Sequence, residues 1–504
     1  MKKYFLLTSL LVVNTMVFAQ GEFDVLKYSL TDITGSARYV AMSGAFGALG
    51  GDMSAISLNP AGISVYRSSE FTITPSLCTN STKSHFDLSS SDSKEKVLIN
   101  NFGYVGSFRT YDESAISNFN FGISYNRVKD FNRNFSVEGS GRSTSLMNRV
   151  CVDKNLYGGS DLYDFAWNAY LINKNGAGVY EPILQDDEKF NSSTSMMESG
   201  GVGEWDFSLG ANYSHTFYFG MSLGIQNIDY ELLSSYYEKS KGTVAYDPFS
   251  FELDNVLVTE GTGVNLKLGA IYRPIPELRL GFAYHTATYY TMTNTYDAKI
   301  YFEGMTNPAT NLPFEEGSYY QPDREGYVDY QIKTPNRMIY SVAYQFGQKG
   351  FISLDWDVVD YKNMVLKDSK GRLVGEINDY INDDFRVASN IRLGGEFRLT
   401  DNVSLRAGAA WYQSPVKSTF EDNNAYVATV GTTPQYSVEK DTYYLSCGVG
   451  YRTGAFFCDA AWQQQMRSEH FFNFYDETEN VGYLKYAKLN TDKTSLVFSL
   501  GFKF

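Results

Sequence analysis

Residues 391–412 read IRLGGEFRLTDNVSLRAGAAWY. Ile391, Leu393, Phe397 and Leu399 share one side of an extended chain, and Arg392, Glu396, Arg398 and Thr400 share the other. Past Asp401 the alternation restarts, with Val403, Leu405, Ala407, Ala409 and Trp411 opposite Ser404, Arg406, Gly408 and Tyr412. Successive side chains of a strand point to opposite faces, so a period of two marks a strand with one apolar and one polar side. The two-residue link Thr400-Asp401 makes the pair a hairpin, and setting Leu399 against Val403 places Glu396 opposite Arg406 as an interior ion pair.

The pattern recurs along the chain. Phe119, Phe121, Ile123 and Tyr125 alternate with Asn118, Asn120, Gly122 and Ser124, and Leu496, Phe498, Leu500, Phe502 and Phe504 alternate with Val497, Ser499, Gly501 and Lys503. Strands are predicted at 68–78, 97–109, 116–128, 203–214, 217–230, 263–273, 278–291, 331–346, 350–362, 388–399, 402–413, 441–452, 455–466 and 494–504. A soluble sandwich also alternates, and the connections separate the two cases. Links after the even-numbered strands are short: Thr110 to Ala115, His215-Thr216, Pro274 to Glu277, Gly347-Gln348-Lys349, Thr400-Asp401 and Thr453-Gly454. Links after the odd-numbered strands are long. That parity belongs to an up-and-down barrel with tight turns at one end and extended loops at the other. The expected fold class is all-β, a transmembrane antiparallel β-barrel of about fourteen strands.

Composition agrees. The 504 residues carry 43 Lys and Arg against 57 Asp and Glu, and a net charge of −14 does not suit a nucleic-acid binder. Aromatics reach 16%, through 40 Tyr and 35 Phe, with 43 Gly against 12 Pro and a mean hydropathy of −0.30. Beyond the first twenty positions no run of about 20 apolar residues occurs, which excludes a polytopic helical protein. Lys2 and Lys3 precede an apolar stretch from Phe5 to Val13, and Val17-Phe18-Ala19 offers a small residue to a signal peptidase. Residues 1–19 are therefore expected to be a secretory signal peptide, with the mature chain starting near Gln20. Loops such as Asp186-Asp187-Glu188 and Asp383-Asp384 are expected to hold the charge excess. Export permits disulfides. Cys78 and Cys151 are far apart in sequence, however, and Cys447 and Cys458 lie on consecutive outward-facing runs, which favours free thiols. None has metal-ligand spacing, and neither a metal nor a cofactor is expected.

Residues 20–66 do not alternate. Small residues dominate Gly35-Ser36-Ala37-Arg38, Met42-Ser43-Gly44-Ala45, Asp52-Met53-Ser54-Ala55 and Asn59-Pro60-Ala61-Gly62, so the segment suits close packing inside something. Short helices or turns are predicted around 41–49 and 52–58, the second ended by Asn59-Pro60 because a residue before proline avoids the helical region. No Gly-Lys-Ser/Thr follows, so the glycines do not form a phosphate loop.

These four blocks, carried by Arg38, Gly44, Asn59, Pro60 and Ala61, resemble the N-terminal hatch of the FadL-type outer-membrane transporters of long-chain fatty acids and aromatic hydrocarbons. Leu268 to Tyr272, Leu280-Gly281-Phe282-Ala283-Tyr284 and Lys333-Thr334-Pro335 are similar to that family's barrel repeats. The resemblance implies a signal peptide over 1–19, a hatch over 20–66 inside the lumen and a barrel over 67–504. It also implies an outer-membrane location with both termini periplasmic, in contact with membrane lipids and lipopolysaccharide. The aromatic C-terminus, Phe504, is similar to the sorting mark read by the barrel-assembly machinery.

The implied function is passive transport of hydrophobic small molecules such as long-chain fatty acids. Ligand would pass from an apolar groove in the external loops to a pocket near the N-terminus, then leave sideways where the third strand kinks. Gly122 lies in that strand, where glycine permits a kink or only curvature. The link 129–202 is long enough for the groove. Within it, Leu162, Phe165, Ala166 and Ala169 fall on one face of an amphipathic helix that also carries Trp167, which is either the ligand entrance or a cap. Lys267, Arg279, Arg392, Arg398 and Arg406 face the lumen by alternation, either for a ligand carboxylate or as interior ion pairs. Other readings are a partner-binding shuttle of type IX secretion, which shares the fold, haem uptake, and a barrel enzyme. His85, His215, His285 and His470 fall in different segments and no HExxH or GxSxG occurs, so no catalytic residue is assigned.

Overall fold

The computed structural model describes residues 20–110, 115–158, 161–183, 189–241, 249–307, 312–313, 317–322, 325–421, 427–474 and 486–504. The expected signal peptide and the acidic run at 186–188 lie outside the described residues.

Fourteen antiparallel strands close into a barrel. The first six are β1 (Glu70–His85), β2 (Ser89–Arg109), β3 (Ile116–Asp130, continued by Arg133–Arg142), β4 (Phe190–Tyr213), β5 (Phe217–Ser240) and β6 (Ser250–Ile275). Next come β7 (Leu278–His285 with Tyr289–Glu303), β8 (Gly326–Lys333 with Arg337–Gln345), β9 (Gly350–Asp360) and β10 (Val387–Arg398). The last four are β11 (Val403–Tyr412), β12 (Tyr436–Thr453), β13 (Phe456–Phe472) and β14 (Ala487–Lys503). Each pairs with its sequence neighbours, and β14 returns to β1 with Phe71 opposite Phe502. Glu396 stands opposite Arg406, and Leu399 N donates to Val403 O at 2.9 Å, so the predicted register of the opening hairpin is the observed one.

The outward residues form an apolar belt. Phe71, Ile73, Phe219, Met221, Leu223, Leu393, Leu405 and Leu500 are all exposed. In water such surface would cost roughly 25 cal/mol per Å²; facing lipid it costs nothing. Aromatic rings rim the belt, with Phe217 stacked on Tyr272 at 4.7 Å near the short turns and Trp205, Trp356 and Trp411 towards the long loops. No described helix is long and apolar enough to cross a membrane; the strands make the crossing.

The strand ends differ from expectation at the long-loop end. β4 and β5 have 24 residues each and β6 has 26, where about 10 suffice to cross. Above the belt the outward positions become polar, as with the exposed Asn227, Asp229 and Glu231. The ladder continues there, but the hydrophobic alternation that reveals a strand stops.

Inside the short-turn half sits the hatch: α1 (Glu22–Ser29), α2 (Ala37–Ala41), α3 (Met53–Leu58) and a 3₁₀ turn at Pro60–Val65. Asp52 caps α3 by accepting from Ser54 N at 3.0 Å, and Asn59 ends it while accepting from Ala61 N at 3.1 Å. Over 41–49, where a short helix or turns were expected, the chain makes turns once α2 ends at Ala41. Ser43, at φ 48°, and Gly44, at φ 75°, enter the left-handed region just past its end. Asp355 fixes the following turn, its Oδ2 accepting from Phe46 N and Gly47 N at 3.0 Å each. On the wall, Gly394 and Gly408 face inward against Met42, and a Cβ on Gly394 would lie 2.5 Å from the Met42 carbonyl oxygen. These two glycines let the hatch backbone touch the barrel wall.

Candidate functional site: a kinked third strand and two lumen cavities

The third strand leaves the wall partway up. Its ladder with β2 runs from Arg109 opposite Asn118 to Asn101 opposite Asn126 and stops, although β1 and β2 stay paired as far as His85 and Ser89. Against β4, the register of β3 shifts between Arg127 and Lys129, and pairing resumes at Arg133 opposite Glu198. Asp130 makes the bend, its Oδ1 accepting from Asn132 N at 3.3 Å as an Asx turn. Behind it the hatch supplies Asp32, whose N–H donates to Val128 O at 2.9 Å and whose Oδ2 accepts from Asp130 N at 3.3 Å. The bend carries Asp130 far into the lumen, to 2.6 Å from Lys493 Nζ on β14. Arg133 reaches Glu469 on β13.

A seam therefore opens between β2 and β3. Its base is closed by Asn101 Nδ2 donating to Asn126 Oδ1 at 2.6 Å. Its top is closed by the Ser90 and Ser136 hydroxyls, 2.6 Å apart. Between them Val97 is 71% exposed on the free edge of β2, and Lys94 Nζ donates across the seam to Glu198 O at 2.7 Å. Gly122, which the sequence left open as a kink or as plain curvature, is not at the bend. Gly122 lies below the bend in regular strand, where a Cβ would come 2.9 Å from Ile63 Cδ1 of the hatch, so it serves close approach.

Two cavities of about 120 Å³ each flank the segment from α1 to Thr34. The upper one lies behind the seam. One wall is apolar, with Phe23 and Leu26 of α1, Phe131 and Phe135 of the bend, Leu232 and Phe471. The other is ionic. Asp24, Asp32, Asp130, Glu198, Glu439 and Glu469 line it with Lys27, Lys129, Arg133, Arg467 and Lys493. Lys27 pairs with Asp24 at 3.7 Å, Lys129 with Asp32 at 3.3 Å, Lys493 with Asp130, and Arg133 with both Glu198 and Glu469. Arg467 approaches Glu469 at 3.4 Å and Glu439 at 3.9 Å.

The lower cavity is lined by charged and polar groups together with Leu30, Leu58, Val128 and Val202, and it holds two of the basic residues singled out in the sequence. Lys267 ion-pairs with Glu204 and with Asp206 at 2.9 Å, and donates to Ser57 of the hatch at 3.0 Å. Arg392 lies 3.9 Å from Asp355 and 4.0 Å from Asp357, and donates to Tyr412 OH at 3.2 Å. Arg337 is held by Asp357 at 2.6 Å. His285 donates from Nε2 to Leu58 O at 2.8 Å, a structural tie to the hatch.

Arg279 lies outside both cavities and donates to Leu49 O at 2.7 Å, so it too holds the hatch. Arg398, expected in the lumen, is exposed at the short-turn rim, because the strand ends there. The hatch residues Arg38, Gly44, Asn59, Pro60 and Ala61 join hatch to wall or hatch to itself. Asn59 Nδ2 donates to Gly47 O at 2.6 Å, and Gly44, with its left-handed φ, sits beside Tyr39 and the Arg392 side chain.

The long link is not an open groove, which corrects the expectation for 129–202. It holds the end of β3, α4 (Leu146–Tyr157), α5 (Asp161–Asn168), a small hairpin and the start of β4. Leu162, Phe165, Ala166 and Ala169 are buried with Val150, Tyr236, Phe251 and Ile300, so the apolar face of α5 is consumed in a cap. Trp167 points outward, 42% exposed. Sequence reading missed the ionic lining of the upper cavity altogether. Its one visible trace is the density of charge in Lys129-Asp130-Phe131-Asn132-Arg133, where a membrane strand would continue. Among the described residues no group of His, Cys, Asp and Glu side chains is arranged to hold a metal.

The fold has counterparts among solved structures. No protein-family model matches the sequence, and no curated protein resembles it. A FadL homologue from Pseudomonas aeruginosa superposes with a TM-score of 0.53 at 16% identity, covering 94% of this chain and 100% of that one. The toluene transporter TodX of P. putida gives 0.51 at 12% identity, covering 94% and 99%. The ΔS2 mutant of TodX, a monoaromatic hydrocarbon channel, gives 0.52 at 13% identity, covering 94% and 100%. The chain has the FadL-type fold: a fourteen-strand barrel with its hatch inside.

Proposed function

We propose that the protein is a passive outer-membrane channel for hydrophobic or amphiphilic small molecules, with long-chain fatty acids the first class to test. Both termini and the short turns then face the periplasm, and the long-loop cap faces outward among the lipopolysaccharide. The observation that carries this reading is the seam. A hatch fills the short-turn half, and the β2–β3 ladder is interrupted beside the upper cavity, whose lining includes the bend residues Lys129 to Arg133. A greasy solute gains from an apolar path, since each buried CH₂ contributes about 0.8 kcal/mol. The structural neighbours that are a toluene transporter and a monoaromatic hydrocarbon channel support the reading.

The test is to lock the seam. Ser90→Cys with Ser136→Cys, in a background lacking the native cysteines, places two thiols where hydroxyls now stand 2.6 Å apart. In proteoliposomes, oxidation should slow uptake of a fluorescent fatty acid and of toluene, and reduction should restore it. Unchanged uptake in the oxidised protein would remove the lateral route. Uptake by the purified barrel alone also separates transport from a shuttle that needs a partner protein.

A further inference from the structure

The charges of the two cavities do not match. The lower one is lined by Arg127, Lys267, Arg337 and Arg392 with Asp32 and Glu204, four cations against two carboxylates, and Asp206, Asp355 and Asp357 stand behind the lining as their partners. Around the upper one, six carboxylates stand with five cations. The excess is local. Lys27, Lys129 and Lys493 are taken by Asp24, Asp32 and Asp130, so Arg133 and Arg467 are left to serve Glu198, Glu439 and Glu469. Lys94 does not correct this, since it lies on the seam and donates to the Glu198 backbone carbonyl.

Glu439 and Glu469 are directly opposite across β12 and β13. Glu469 spends Oε2 on Arg133, and its Oε1 has no hydrogen-bond partner although the residue is 1% exposed. Glu439 has only the 3.9 Å approach of Arg467. Four residues before Glu439, Gln435 lines the same cavity, is 7% exposed and leaves both its amide oxygen and its amide nitrogen without partners. Asn132 Oδ1, at the bend, is a further buried acceptor without a donor. A buried polar group without a partner is costly, and Glu469, Gln435 and Asn132 all line this cavity.

From this surplus we infer that the upper cavity binds amphiphiles by a hydrogen-bond-donating, cationic head, a primary ammonium, in preference to a carboxylate. The head lies between Glu439 and Glu469, with Gln435 further along the same lining, and the alkyl chain lies along Phe23, Leu26, Phe131 and Leu232. A carboxylate there would add a seventh negative group to a site already short of cations. The inference rests on the transport reading for its purpose, but binding is measured independently of transport.

The protein, in phosphatidylcholine nanodiscs at neutral pH, is titrated calorimetrically with dodecylamine, laurate and 1-dodecanol, and empty nanodiscs supply the partition baseline. Dodecylamine, protonated at this pH, should saturate a single site at least about tenfold more tightly than the other two. Glu439→Gln should abolish that preference and leave dodecanol unchanged. Gln435→Leu, which breaks no ion pair, should weaken the amine severalfold and serves if Glu439→Gln loses the heat-modifiable gel migration of a folded barrel. Laurate binding as tightly as the amine would overturn the inference. So would an amine preference that survives Glu439→Gln, because the surplus carboxyl would then be held as a neutral acid. If proteoliposomes pass neither toluene nor dodecanol faster than protein-free vesicles, the transport reading fails, while the calorimetric result on the head group stands by itself.

Discussion

Arg38 of the hatch donates from Nε to Glu396 Oε2 of β10 at 2.9 Å, and the same oxygen accepts from Arg406 Nε of β11 at 2.7 Å. One carboxylate thus joins plug and wall. Removing one partner of a buried pair costs about 3 kcal/mol or more, because the other charge stays desolvated. Arg38→Ala leaves Glu396 with Arg406, so the barrel should keep its stability while the hatch loosens and vesicles leak small ions faster. Glu396→Ala strands two guanidinium groups and should also lower the urea midpoint. Conductance and urea titration of the two variants separate the effects.

Gly408 should behave as a hatch contact and not as a strand residue. A Cβ there meets the Met42 and Ser43 backbone, which cannot move without the rest of the hatch. Gly408→Val should raise polar-solute leakage towards that of a chain lacking residues 20–66, with heat-modifiable migration retained. A tight barrel after either change would exclude the hatch as the seal.

The contact between α1 and the loop helix α6 (Gly375–Asp384) should weaken as pH rises. Burial holds the Glu22 carboxyl well above the usual range and, with Asp383 adding, pushes Asp384 up to about 6. An unfolded Asp titrates near about 3.9. Between those values the folded state binds more protons than the open one. Stability is therefore highest below about pH 4, falls as pH rises through about 6 as Asp384 ionises, and falls further where Glu22 ionises. Amide exchange across 375–384, corrected for intrinsic rates, should be slower at acid than at neutral pH, and Asp384→Asn should reduce the difference.

The cap helix offers a test of where ligand enters. Phe165 is 4% exposed and meets Tyr320 edge-on at 5.4 Å, so Phe165→Ala should cost the cap about 3 kcal/mol. Trp167→Ala, on the outward side, should change stability by about 0.5 kcal/mol or less. With the apolar face of α5 consumed in the cap, uptake should survive Trp167→Ala. A large drop in uptake in a stable Trp167→Ala protein would restore α5 as an entrance.

All four cysteines should titrate as thiols in the denatured protein without reductant. Cys447 faces Trp462 across the ladder and Cys458 faces Tyr451, so the two are out of register for a bridge. Cys447, exposed in the lipid belt, should react with a membrane-soluble maleimide and resist a charged one.

The strands were legible because the bilayer imposes a rule on every residue that meets it: Leu393, Leu405 and Phe498 face lipid, and their neighbours cannot. That rule, with the parity of the links, determined the barrel, its strand number, the Glu396–Arg406 register and the turn end. It falls silent where lipid does not reach. The upper halves of β4 to β6 and the cap built on α4 and α5 were hidden because a ladder in water needs no hydrophobic alternation. At 41–49 the sequence left helix and turn open, because the turn is held by Asp355, which accepts from Phe46 N, 309 residues away. Only the tertiary structure brought Asp32, Asp130 and Lys493 together to hold the bend of β3. The same holds for the pairing of Arg133 with Glu469 and for the surplus carboxylate at Glu439. Charge in a sequence has no address until the chain closes; the barrel supplies one by bringing strands far apart in order around a single cavity, where each ion's partner, or its want of one, is decided.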